Sequence, residues 1–144
     1  MKKEKLDLSA LSSAIASLQD GINVVSDSVW FNAQSKAVQN TLIAGVIQNF
    51  EFVYEISIKM IRRHMELNAA SPTEVDHSDF RDLLRTAAEK GLLADVDAWF
   101  EYRAMRNITA YTYDHEKANQ VYQETLIFIG DAQNLLSALE ARNV

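Results

Sequence analysis

The segment from Lys36 to Leu67 contains no proline and a single glycine, Gly45. Along it Val38, Leu42, Val46, Phe50, Val53, Ser57, Met60, Ile61 and His64 recur at steps of three and four, which puts them on one face of a helix. Ile43, Ile47, Tyr54 and Ile58 widen that stripe, and a helix apolar over so broad an arc is buried on more than one side. Thirty residues of helix reach roughly 45 Å. Such a rod is the spine of a domain.

The rest of the chain fits helices too. Four glycines and one proline in 144 residues are too few breakers for a sandwich or barrel. A first helix is predicted from Ser9, as N-cap, to Val25, with Leu11, Ile15, Leu18, Ile22 and Val25 on its inner face. "SDSVWFNAQS" then reads as a loop anchored by Trp30 and Phe31. "NAASPTEVDHS" reads as a linker, within which Ser71, Pro72 and Glu74 have the form of a capping box. A third helix is expected from Ser78 to Glu89, with Phe80, Leu83, Leu84 and Ala87 apolar and Gly91 closing it. A fourth starts near Asp95. A fifth runs from an Asp114 cap to Ala141, burying Val121, Thr125, Phe128, Ala132, Leu135 and Leu139. Together these give an all-α chain: one domain over residues 1–144, a five-helix antiparallel up-and-down bundle.

Composition bounds the function classes. Hydrophobic residues make up 48%, enough for a real core. With no cysteine, disulfides, thiol catalysis and cysteine-ligated metals are excluded. A net charge of −6 opposes broad nucleic-acid binding, which runs on Lys and Arg contacts to phosphate, while leaving room for a local basic site. The basic start "MKKEKLDLSA" lacks the apolar stretch of a signal peptide. No apolar run approaches the roughly 20 residues of a spanning helix. The expectation is a soluble cytoplasmic protein with no membrane role.

The end of the fourth helix breaks the pattern. "RNITAYTY", residues 106–113, gathers Ile108, Thr109, Tyr111, Thr112 and Tyr113, all weak helix formers. On a wheel centred on Trp99, the residues Val96, Arg103, Arg106, Ala110 and Tyr113 fall within about 60°. A guanidinium on a core face needs an anionic or hydrogen-bonding partner. For Arg103 an ion pair with Glu51 or Glu55 of the long helix is the simplest account. Arg106 has Asn107 and Tyr113 beside it, and arginine with asparagine can hold a phosphate or a base edge. The other candidates are plainer. "KMIRRH", Lys59 to His64, is expected to be a solvated face, His64 a core histidine, His77 a linker residue and His115 exposed. No metal-ligand spacing, Gly-rich phosphate loop or GxSxG occurs, so neither metal nor cofactor is expected.

Three stretches carry a family resemblance: "TLIAGVIQNFEFVYEISIKMIRR" (Thr41 to Arg63), "DLLRTAAEKGLLADVDAWFEYRAMRNIT" (Asp82 to Thr109) and "YTYDHEKA" (Tyr111 to Ala118). The chain resembles the nucleotidyltransferase substrate-binding proteins, a branch of the HEPN superfamily that includes the HepT toxins. The resemblance implies a dimerising helical bundle, encoded beside a minimal nucleotidyltransferase and binding it, as in toxin–antitoxin pairs. It also implies a metal-independent RNase motif, R-x4–6-H, in active members, with arginines and histidines of two protomers converging at the dimer interface. Carried onto this chain, the motif arginine is Arg106 and its polar neighbour Asn107. The histidine position falls on Tyr111. Tyr113 matches the tyrosine that a partner nucleotidyltransferase modifies with AMP.

The substitution matters chemically. A general base works best with a pKa near the operating pH; histidine titrates near 6.5, whereas tyrosine does so near 10. Tyr111 can still donate a hydrogen bond or stack on a base. The resemblance therefore implies a nucleotide- or RNA-binding set of Arg103, Arg106, Asn107 and Tyr111 with little cleavage. An active RNase toxin silenced by AMP on Tyr113, and a helical dimer that binds neither nucleotide nor partner, are the competing readings.

Overall fold

The computed structural model describes residues 5–69, 71, 73, 75, 79–111 and 113–143. Its regular elements are all helical: α1 (Ser9–Ser26), α2 (Ser28–Asn32), α3 (Lys36–Asn68), α4 (Phe80–Glu89), α5 (Val96–Ile108), a 3-10 turn (Thr109–Tyr111) and α6 (His115–Arg142). The helices pack as a bundle around one hydrophobic cluster.

Helix α1 buries the five residues expected of it. Ser9 is not its cap. Asp7 Oδ1 accepts from the Ser9 backbone N–H at 3.0 Å and from its hydroxyl at 2.7 Å, so a carboxylate two residues upstream takes the hydroxyl that would have capped the helix. The expected loop after α1 instead holds a helical turn, α2. Asp27 Oδ1 accepts from Trp30 N at 3.2 Å and starts it. Phe31 packs against the core, whereas Trp30 is 43% exposed and does not anchor the segment.

Ser35 caps α3, accepting from Val38 N at 3.2 Å. Its stripe is buried from Val46 to Met65, but Val38 is exposed and Leu42 only half-buried. Length explains this. The 18 residues of α1 span roughly 27 Å against roughly 50 Å for the 33 of α3, so α1 cannot cover the whole rod. His64 is half-buried. Pro72 and Glu74 of the expected capping box lie outside the described residues, as do His77 and Ser78. Asp79 caps α4, accepting from Asp82 N at 2.8 Å. Gly91 ends it with φ +81°, as its place after the helix requires.

Side-chain contacts fix the helix directions. Leu6 and Gln19 meet Asn143 and Gln133 of α6, so α1 is antiparallel to α6, and Gly21 of α1 lies against Val46 and Asn49 of α3. Helices α3 and α6 run the same way, since Phe50 meets Phe128 while the starts of the two helices also lie together. Helix α5 reverses into α6 through a tight turn. The described residues hold six α-helices rather than the five expected, and α1, α3, α5 and α6 are joined through the core. Helix α4 sits within the connection from α3 to α5, its Phe80 and Arg81 against Arg103 and Phe100 of α5.

The core is tied by aromatic rings. Phe128 of α6 meets Phe50 of α3 at 4.9 Å, Trp99 of α5 at 5.7 Å and Tyr102 at 4.9 Å, each edge-to-face. All six residues expected on the inner face of α6 are buried. Thr125 is tolerated there because its hydroxyl donates to Val121 O at 2.7 Å. Ser57 Oγ, also buried, has no hydrogen-bond partner among the described residues. Two reciprocal bonds join the extremes of the fold: Leu6 N donates to Asn143 Oδ1 at 2.8 Å, and Asn143 Nδ2 donates to Leu6 O at 2.8 Å.

Candidate functional site

The site lies where α5 gives way to α6. Asp95 starts α5, accepting from Asp97 N at 3.0 Å and Ala98 N at 3.3 Å. Thirteen residues later the poor helix formers take over. Thr109 turns its hydroxyl back to Arg106 O at 2.8 Å, and the backbone tightens into the 3-10 turn. Asp114 N donates to Tyr111 O at 3.0 Å, and the Asp114 carboxylate then caps α6, as expected, accepting from Glu116 N at 3.0 Å. These bonds hold Arg106, Tyr111 and Tyr113 in a fixed order around the turn.

Arg106 faces α3. Its Nη2 lies 2.6 Å from Glu55 Oε1 and 3.2 Å from Glu51 Oε1, and its Nε donates to Glu55 Oε1 at 3.2 Å. The carboxylates expected to serve Arg103 are thus taken by Arg106. Arg103 instead lays its guanidinium over the Phe80 ring at 4.1 Å and stays exposed. The reason is rotational. The buried residues of α5 and the turn after it are Trp99, Tyr102, Met105 and Thr109, so the inner face centres near Tyr102, roughly 60° from Trp99. That rotation carries Arg103 outward toward α4 and leaves Arg106 against α3. Asn107 is exposed and its side chain has no hydrogen-bond partner among the described residues. Tyr111 is half exposed, with Lys117 Nζ 4.7 Å from its ring centroid. Tyr113 is 79% exposed, its ring 6.3 Å from that of Tyr111.

A sequence profile described as "Nucleotidyltransferase substrate binding protein like" matches residues 6–141. The chain belongs to that family. Among relatives of this nucleotidyltransferase substrate-binding chain is a Haemophilus influenzae protein named "Probable ribonuclease HepT". The two are 44% identical over 143 residues, covering 99% of this chain and 98% of the relative. A solved structure, also from H. influenzae, is described as revealing the fold of a substrate-binding domain of a nucleotidyltransferase. It superposes with a TM-score of 0.91 at 43% identity, covering 93% of this chain and 99% of that one.

In this nucleotidyltransferase substrate-binding fold the electrostatics centre on the arginines. The hydrogen bonds that Arg106 donates to Glu55 hold its guanidinium still more firmly protonated than usual. Burial pushes the Tyr54 phenol up to about 12, against the pull of the nearby Arg103 and Arg106 charges. Tyr102, buried and donating to Asp131, is pushed up as well. His115 is exposed, as expected. No group of three or more His, Asp or Glu side chains among the described residues is placed to hold a metal ion. No described helix is long and apolar enough to cross a membrane.

Sequence reasoning missed two features. Arg81 and Arg85 of α4 both reach over the Phe100 ring, at 4.8 and 5.9 Å; their four-residue spacing was the available signal. A groove also opens between α3 and α6, with Tyr113 at its edge. Its walls are the stripes 36–47 and 115–122, each legible as a helix face, but nothing in the sequence pairs them.

Proposed function

We propose that this chain is the HEPN-type, HepT-like partner of a minimal nucleotidyltransferase encoded nearby, in a toxin–antitoxin-type pair. It acts as a cytoplasmic homodimer built from a single domain. Arg103, Arg106, Asn107 and Tyr111 form a nucleotide- or RNA-binding face in which Tyr111 replaces the catalytic histidine. Tyr113 is the acceptor of AMP. The phenol oxygen attacks the α-phosphorus of ATP held by the partner, pyrophosphate leaves, and the phenolic proton passes to a base on the partner.

The observation that carries this reading is the exposure of Tyr113, at 79%, in a turn pinned by the Asp114 cap. A second protein can reach that oxygen without unfolding anything. The test is co-expression with the neighbouring nucleotidyltransferase followed by affinity capture and intact mass. A complex is expected, with one adenylyl group or more on the chain and none on Tyr113→Phe. An unmodified chain that captures no partner would refute the proposal.

A second reading is an active metal-independent RNase toxin silenced by AMP on Tyr113. The 44% identical relative named a probable ribonuclease favours it. For that reading Arg106 is the catalytic arginine, and growth arrest on induction, relieved by Arg106→Ala, is the distinguishing result.

A further inference from the structure

The groove between α3 and α6 has a volume of about 580 Å³, within the range of small-ligand sites. Among the described residues no aspartate or glutamate lines it, in a chain with 20 acidic residues. The charged and titratable side chains that do are Lys36 and His115, with Tyr113 and Tyr122. Lys36 and His115 are the first residues of α3 and α6, two helices of 33 and 28 residues running in the same direction. Ser35 and the Asp114 carboxylate already cap these two helix ends, so the positive charge at this end of the groove is the Lys36 ammonium, which has no ion-pair partner among the described residues. That end suits an anion.

The rest of the groove suits a flat ring. Phe31 and Tyr122, both half-buried, bring aromatic surface, and Ile43 and Ile47 supply apolar surface. The Phe31 wall is held in place, because Gln39 Nε2 donates to Phe31 O at 3.0 Å and to Gln34 O at 3.2 Å. The exposed amides of Asn40 and Asn119 have no hydrogen-bond partners among the described residues and offer a donor and an acceptor each. A cation, aromatic walls and free amides together match a base joined to a phosphate.

We propose that this groove is a second, non-covalent binding site that takes a nucleoside monophosphate. The phosphate lies toward Lys36 and the base lies over the apolar wall. The site is separate from Arg106 and does not require that Tyr113 be modified.

Titration calorimetry on the intact chain with AMP, GMP, CMP and UMP tests it, with adenosine and inorganic phosphate as separate arms. At least one monophosphate is expected to bind at submillimolar concentration. Adenosine or phosphate alone should bind at least tenfold more weakly than AMP if AMP is the preferred ligand. Lys36→Ala should weaken the monophosphate about tenfold. Ala44→Phe, a filling change at an exposed wall position whose thermal melt checks folding, should abolish binding in the groove, and Arg85→Ala, on α4 outside the groove, should leave it intact. No heat from any monophosphate at millimolar concentration would overturn the proposal. So would binding indifferent to both Lys36→Ala and Ala44→Phe, which would move the ligand out of the groove.

Discussion

Glu55 holds Arg106 through a single oxygen: Nε at 3.2 Å and Nη2 at 2.6 Å both reach Oε1. The pairing is not the parallel two-oxygen fork that arginine makes with carboxylate or phosphate at its best. A phosphate offering two oxygens competes well for the same guanidinium. Glu55→Gln is therefore expected to raise the affinity for a short RNA by a few-fold in a filter-binding assay, and Arg106→Ala to lower it.

The same contact is cheap for the fold. Arg106 is 35% exposed and Glu55 49%, so solvent screens the pair and it contributes about 1 kcal/mol or less. Urea unfolding of Arg106→Ala should show no larger loss. A loss of several kcal/mol would mean that the arginine is structural, and would disqualify it as a functional control.

In the proposed reading Tyr111 stands at the histidine position of the R-x4–6-H motif, and Tyr111→His tests it. With purified protein, a structured RNA and a chelator, cleavage should rise at least tenfold over the parent and vanish when Arg106→Ala is added. Equal cleavage by parent and variant would show that the position does not carry the chemistry.

Alkaline pH tests the buried phenols. Tyr54 titrates near 10 in an unfolded chain and at about 12 in the fold. Between those values the folded state holds the proton that the unfolded state has lost, so stability falls as pH rises. The contribution is full below pH 10 and amounts to about 2–3 kcal/mol, because each tenfold difference in proton affinity between the two states is about 1.4 kcal/mol. Tyr102 acts in the same direction. Between pH 9 and 11 the urea midpoint should drop less in Tyr54→Phe than in the parent; equal drops would place the alkaline loss elsewhere.

Ser57 carries a buried hydroxyl without a partner among the described residues. Leaving such a group unpaired costs about 1–3 kcal/mol. Ser57→Ala should thus be neutral or raise the melting temperature by a few degrees, unlike most core changes. A clear destabilisation would reveal a hydrogen bond through water.

Much of the fold was legible because helix periodicity is a local property. The inner face of α6, read from Val121 to Leu139, needed no knowledge of its neighbours, and Asp114 and Gly91 announce a helix start and a helix end by their chemistry alone. The failures were rotational or competitive. Trp99 drew the α5 wheel toward itself by its size, when Tyr102, with its hydroxyl on Asp131, is nearer the true centre. That error exchanged the fates of Arg103 and Arg106. Ser9 lost its capping role to Asp7, and Trp30 was judged by hydrophobicity when the short α2 turns it half out to solvent. The order around the Arg106 turn was readable; the groove was not, because its two walls lie more than 60 residues apart in the chain.

The paired bonds between Leu6 and Asn143 close a circuit 137 residues around. A free chain pays for such closure, though only logarithmically in its length. Here α1 and α6 already lie side by side, so the two bonds form after that packing rather than guiding it. They act as a latch, last to close and first to open. Hydrogen exchange should find the Leu6 amide giving way well before the amides around Phe128, with the ends fraying while the aromatic knot holds.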